Sequence, residues 1–126
     1  MKAKYVIIGL FIAVLIFFLV KPNITGNVIA TGSYDEFAQC LKNNGVKMYG
    51  AYWCPHCNNQ KAMFESSWKY INYVECSLPN NAGQTQVCNN AGIEAYPTWE
   101  FGNGKRMTGE LSLEQLSQNS GCGLPQ

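Results

Sequence analysis

Two cysteines two residues apart, Cys54 and Cys57, stand where an apolar, aromatic-rich run ends and a helical pattern begins. Such a pair can close a small disulfide ring or offer one face to a metal. Val46 to Tyr52 has the aromatic and branched residues of a buried strand. From Asn58 the apolar residues Met63, Phe64, Trp68 and Ile71 fall on one helical face, which predicts a helix running to about Ile71. The first turn of a helix has unpaired N–H groups and a partial positive charge. A thiolate at Cys54 would lie at that pole and be stabilised by it. Pro55 suits the first turn, where a missing N–H costs nothing, and His56 can add positive charge beside the sulfur. The chemistry favoured is redox.

The chain has 126 residues, six cysteines and a formal net charge of +1. That balance, with no Lys/Arg cluster, gives no electrostatic case for nucleic acid. Six cysteines in so short a chain favour an oxidising, extracytoplasmic compartment, because reducing compartments rarely use cysteine as a staple. About 95 residues follow the N-terminal apolar segment, enough for one small domain with a single core.

That segment, Tyr5 to Val20, carries sixteen residues and no charge. At about 1.5 Å per residue it spans roughly 24 Å, slightly short of a roughly 30 Å hydrocarbon core. Snorkelling of Lys4 and Lys21 covers the difference. Residues 1–21 are therefore read as a retained signal anchor rather than a cleaved peptide, since Lys21-Pro22 closes the run without a small-residue cleavage site. Lys2, Lys4 and the amino terminus outnumber Lys21, which places the N-terminus in the cytoplasm and the domain outside. Residues 22–32 read as a linker and 33–123 as the folded domain. Asn23-Ile24-Thr25 matches a glycosylation acceptor but lies against the apolar run, and is taken as a chance match.

Ser33 with Glu36 suggests a capping box for a helix to Asn44, stopped by Gly45. Asn72 to Cys76 reads as a second strand and Ser77 to Gly83 as a loop. A short helix follows at Gln84 to Asn90. Trp99 to Phe101 and Lys105 to Thr108 read as strands joined by the Gly102-Asn103-Gly104 turn. Ser112 and Gln115 form another capping box, for a last helix ending near Gly121. A helix between the first two strands predicts a parallel pair, and the Gly-rich turn an antiparallel hairpin.

This order, with C-x-x-C at the first strand-to-helix junction, resembles the thioredoxin fold, an α/β fold with a mixed sheet flanked by helices. Tyr96-Pro97-Thr98 stands where that family carries a cis-proline loop facing the disulfide. The stretches Met48 to Cys57, Tyr73 to Cys76 and Gly92 to Trp99 resemble, more narrowly, the thioredoxin-like domain associated with vitamin K epoxide reductase (VKOR) homologues. The resemblance covers about Tyr34 to Gly121.

What it implies is a thiol oxidase of the periplasmic type, similar in role to DsbA, which shares the Pro-His dipeptide. The Cys54–Cys57 disulfide would pass to cysteine-containing exported proteins. It would be regenerated by a quinone-linked membrane oxidoreductase of the VKOR or DsbB type. Cys54 would attack and be attacked, Cys57 would resolve, and His56 would tune the sulfur. Pro97 would hold its loop against the pair. Trp53, Tyr96 and Thr98 would lie beside the substrate. Cys76 and Cys88 match a structural disulfide of the VKOR-associated domain, worth roughly 2–3 kcal/mol in the loop-entropy model. Cys40 and Cys122 could then form a third disulfide, stay free or serve as a relay. No cofactor or metal is expected. One departure is Met48, which stands six residues before Cys54 where thioredoxins carry a buried acid. Proton transfer would then need Glu65, His56 or water.

Three other readings compete. A reductase or isomerase would use the same site with electrons flowing the other way. A zinc module would need Cys54 and Cys57 with ligands such as His56 and Cys76, although only one closely spaced pair exists. A tethered binding domain would hold an inert disulfide.

Overall fold

The computed structural model describes residues 34–126. The apolar segment Tyr5 to Val20, the linker and Ser33 lie outside the described residues. Within them, no helix is long and apolar enough to cross a membrane.

Four strands form one mixed sheet in the order β2-β1-β3-β4. Strand β1 (Lys47–Gly50) pairs in parallel with β2 (Asn72–Glu75) and antiparallel with β3 (Thr98–Glu100). Strand β4 (Arg106–Thr108) closes the β3 hairpin with Trp99 opposite Met107. The helices are α1 (Asp35–Asn43), α2 (Pro55–Met63), α3 (Gln86–Asn90) and α4 (Leu113–Ser120). The mixed, helix-flanked sheet is the arrangement the resemblance implies.

The two-residue period of a strand sends neighbours to opposite faces, and β1 uses both. Met48 is fully buried among Phe37, Phe64, Trp99 and Leu116, whereas Tyr49 packs with Cys76, Cys88 and Ile93 on the other face. Burying aromatic rings at this scale stabilises by roughly 2–3 kcal/mol each. Phe64 sits at the centre of that first cluster, with ring centroids 6.1 Å from Phe37 and 6.3 Å from Trp99.

The long helix expected from Asn58 to Ile71 is corrected. Helix α2 ends at Met63, and a 3-10 turn over Glu65–Tyr70 takes the chain to β2. Glu65 adopts φ 51°, which interrupts the helical path. A tertiary bond supports the change, since buried Ser67 Oγ donates to Asp35 Oδ1 at 2.6 Å and ties the turn to α1. The first helix also differs. Tyr34 is its N-cap, with no side-chain cap, in place of the box expected from Ser33 and Glu36. Helix α4 does have the Ser112–Gln115 capping box, and Gly121 closes it in the left-handed conformation.

Candidate active site

Cys54 caps the N-terminus of α2 with its own sulfur, which accepts from the Cys57 backbone N–H at 3.4 Å. First-turn N–H groups have no intrahelical acceptor, and the extended backbone at Cys54 brings its sulfur to the Cys57 N–H. Both cysteines are free thiols. Neither is open in the sense that exposure of the first sulfur would require, because Cys54 is 5% exposed and Cys57 not at all. Cys54 is the one a partner can reach. Burial pushes the Cys57 thiol up to about 12, the Ala51 backbone and the Lys61 charge offsetting only part of that cost.

Space for the inner sulfur comes from a residue the sequence reading passed over. A Cβ on Gly50 would stand 2.9 Å from Cys57 Sγ and 2.9 Å from Tyr73 Cε2. Only glycine lets the sulfur and the tyrosine edge approach β1 so closely. Met48 completes this floor without a charge.

The opposite wall is the Tyr96-Pro97 loop, whose peptide bond is cis. The Tyr96 carbonyl oxygen lies 3.8 Å from Cys54 Sγ, and the Pro97 carbonyl accepts from Gly109 N at 2.8 Å. Thr98 does not face a substrate as expected. It is 5% exposed, and its hydroxyl donates to the Ala95 carbonyl at 2.8 Å, bracing the loop from within. Trp53 and Tyr96 meet edge to face at 6.1 Å, and Trp53 is 46% exposed beside the sulfurs. Trp53 Nε1 donates to Ser77 Oγ at 2.9 Å, while the Tyr52 hydroxyl accepts from Asn81 N at 3.1 Å, so the loop after β2 is pinned to the site.

His56 points into solvent and meets a carboxylate, Glu110, Nδ1 to Oε1 at 2.6 Å. The bond to His56, then that from Asn59, holds the Glu110 carboxyl below the usual carboxylate range. Glu65 lies beyond the far end of α2 and is corrected as a proton donor to the thiols. Glu75 is closer in structure. Its carboxylate accepts from Tyr73 OH at 2.8 Å, Ser77 N at 2.9 Å and Tyr52 N at 3.2 Å. Burial, then this carboxylate, holds the Tyr73 phenol above its ordinary range. Glu75, Glu110, Gly50 and Tyr73 went unassigned in the sequence, because none of them belongs to a local motif that marks its contact.

The remaining four cysteines are paired. Cys76 bonds to Cys88 across 12 residues, and Cys40 to Cys122 across 82. Asn44 Nδ2 approaches Cys122 Sγ at 3.5 Å, next to the second bridge. Pairing of Cys76 removes it from the zinc set formed with Cys54, Cys57 and His56. Two adjacent thiols at a helix pole, one reachable and one sealed, are equipped for thiol–disulfide exchange.

The chain is 42% identical over 93 residues to the thiol-disulfide oxidoreductase LTO1 of Arabidopsis thaliana. The match covers 71% of this chain and 24% of that protein, so the chain spans about a quarter of that relative's length. Among solved structures it is similar to the thioredoxin Mala s 13 of Malassezia sympodialis, with a TM-score of 0.42 and 24% identity over 71% of this chain and 88% of that one. The thioredoxin family model matches residues 28–119, most of the chain. The chain belongs to the thioredoxin family.

Proposed function

We propose that this chain is an extracytoplasmic thiol–disulfide oxidoreductase that donates the Cys54–Cys57 disulfide to exported proteins. The observation that carries the reading is the Cys54 sulfur itself, seated on the helix N-terminus and faced by the Tyr96 carbonyl of the cis-proline loop. The Cys57 backbone N–H directed at that sulfur would favour the reduced pair, which would make the disulfide the stronger oxidant. Tyr52, Trp53 and Leu78, all exposed, give an incoming cysteine-bearing segment an apolar shelf beside the sulfur.

Two bridges outside the site support an oxidising compartment, Cys40–Cys122 and Cys76–Cys88. Residues 1–21 would hold the domain at the membrane through the 22–32 linker, with 33–123 outside. Reoxidation by a VKOR-like, quinone-linked membrane enzyme rests on the resemblance of the stretches around Cys57, Cys76 and Pro97. A reductase or isomerase would use the same atoms.

The reduction potential of the Cys54–Cys57 pair separates the two directions. A value near −120 mV supports the oxidase, and one near −270 mV replaces it with a reductase. Cys57→Ser should trap mixed disulfides through Cys54 in cells, and their complete absence would remove the enzyme reading.

A further inference from the structure

When a substrate thiolate attacks Cys54 Sγ, a new S–S bond forms as the Cys54–Cys57 bond breaks. The electron pair then leaves on Cys57 Sγ. A second substrate thiolate attacks the first substrate sulfur and releases Cys54, so two substrate thiols are oxidised and the cysteine pair is reduced. The costly moment is the first, because charge appears on a sulfur with no exposure to water. Met48, fully buried beneath it, offers no compensation.

The ionisable groups around this sulfur can be taken in turn. Glu75 carries the wrong sign and is already engaged by Tyr73, Tyr52 and Ser77. His56 is held by Glu110. Lys61 follows Cys57 by four residues on α2, which puts the two on the same helix face. Its ammonium lies 4.2 Å from the centroid of Tyr73 and 5.7 Å from that of Trp68. The Tyr73 edge and Cys57 Sγ share the space that Gly50 leaves open. The lysine is therefore docked on the ring that borders the inner sulfur.

We propose that Lys61, positioned over Tyr73, is the counter-charge for the Cys57 thiolate formed during exchange, the task for which Met48 supplies no charged group. The inference rests on the oxidoreductase reading and adds a residue to it. The Lys61 charge also acts against the burial that pushes the Cys57 thiol up. Because Cys57 is a protonated thiol at neutral pH, Lys61 lowers the barrier to exchange without shifting its end point.

The test uses the full chain in detergent, oxidised, with dithiothreitol as the probe. Acid quenching, alkylation and mass spectrometry then follow the appearance of free Cys57. Lys61→Gln should slow that appearance about tenfold, or about 1.4 kcal/mol of barrier. Lys61→Arg should stay within about twofold of the parent, and the midpoint potential at pH 7 should be unchanged in both. A Lys61→Gln rate equal to the parent's would overturn the proposal. So would a slowing that arginine fails to rescue, or one that comes with a shifted potential. If the parent chain itself exchanges no disulfide with dithiothreitol, it is the oxidoreductase reading that fails.

Discussion

The Gln60 side-chain amide bonds both backbone polar groups of Leu111. Gln60 Nε2 donates to the Leu111 carbonyl at 2.9 Å, and Gln60 Oε1 accepts from Leu111 N at 2.7 Å. The same oxygen accepts from Trp99 Nε1 at 3.2 Å. One buried amide thus fastens α2, three residues past Cys57, to β3 and to the segment before α4. The neighbouring Glu110 repeats the tie at the surface through His56 and Asn59. The helix that carries the sulfurs is fixed along one side by two consecutive residues from a remote loop.

Gln60→Leu keeps most of the volume and removes these three bonds together with the weaker one to Met63 Sδ. It leaves a buried backbone N–H, a carbonyl and an indole N–H without partners, each worth roughly 1 kcal/mol or more. We expect a loss of about 3 kcal/mol in urea unfolding. A change below about 1 kcal/mol would mean that water or a local shift replaces the amide.

The Glu110–His56 contact sets a pH dependence whose sign is determined by the carboxylate. Its folded-state titration is depressed, so its contribution is complete above the ordinary carboxylate range and is lost as pH falls through the lower folded value. Carbon-detected NMR should find Glu110 titrating below the other exposed glutamates, and His56→Ala should move it upward. If the titration stays in place, Asn59 alone accounts for the shift.

What the sequence made legible were features with a local signature. C-x-x-C at a strand-to-helix junction, a proline ahead of a strand, the Gly-Asn-Gly turn and the Ser112–Gln115 box are each readable within a few residues. The family resemblance supplied the fold and the face to which Pro97 belongs. Gln60 and Glu110, both missed, act over long separations. Gln60 meets Leu111 51 residues away, and Glu110 meets His56 across 54. The break at Glu65 was hidden because Phe64, Trp68 and Ile71 keep a helical spacing, while the Ser67–Asp35 bond that accompanies the 3-10 turn is tertiary. Thr98 looked like a substrate neighbour by position beside Pro97, yet it is buried with its hydroxyl on the Ala95 carbonyl.

The two structural bridges should differ in what they contribute. In the loop-entropy model the 82-residue span of Cys40–Cys122 gives about 4.5 kcal/mol and the 12-residue span of Cys76–Cys88 about 3 kcal/mol. Paired alanine substitutions of each bridge, compared by denaturant midpoint, should destabilise in that order. The reverse order would show that native packing of Cys76 and Cys88 with Tyr49 and Ile93 outweighs chain entropy.

Reduction of the active-site pair should itself make stability depend on alkaline pH. Burial holds the proton on Cys57 in the folded protein, whereas an unfolded thiol loses it near pH 8.5. Between those values the folded state binds more protons than the unfolded one, so stability falls as pH rises from about 8.5 toward about 12. The oxidised protein has no proton at Cys57 and lacks this dependence. Unfolding of both forms at pH 7, 8.5 and 9.5 should show the reduced form losing ground relative to the oxidised one at the two higher values. Alkylation gives a second reading of the same burial, with Cys54 modified first and Cys57 protected until the protein unfolds. Parallel pH curves for the two redox forms would mean that the inner thiol is not sealed as the geometry around Gly50 and Met48 requires.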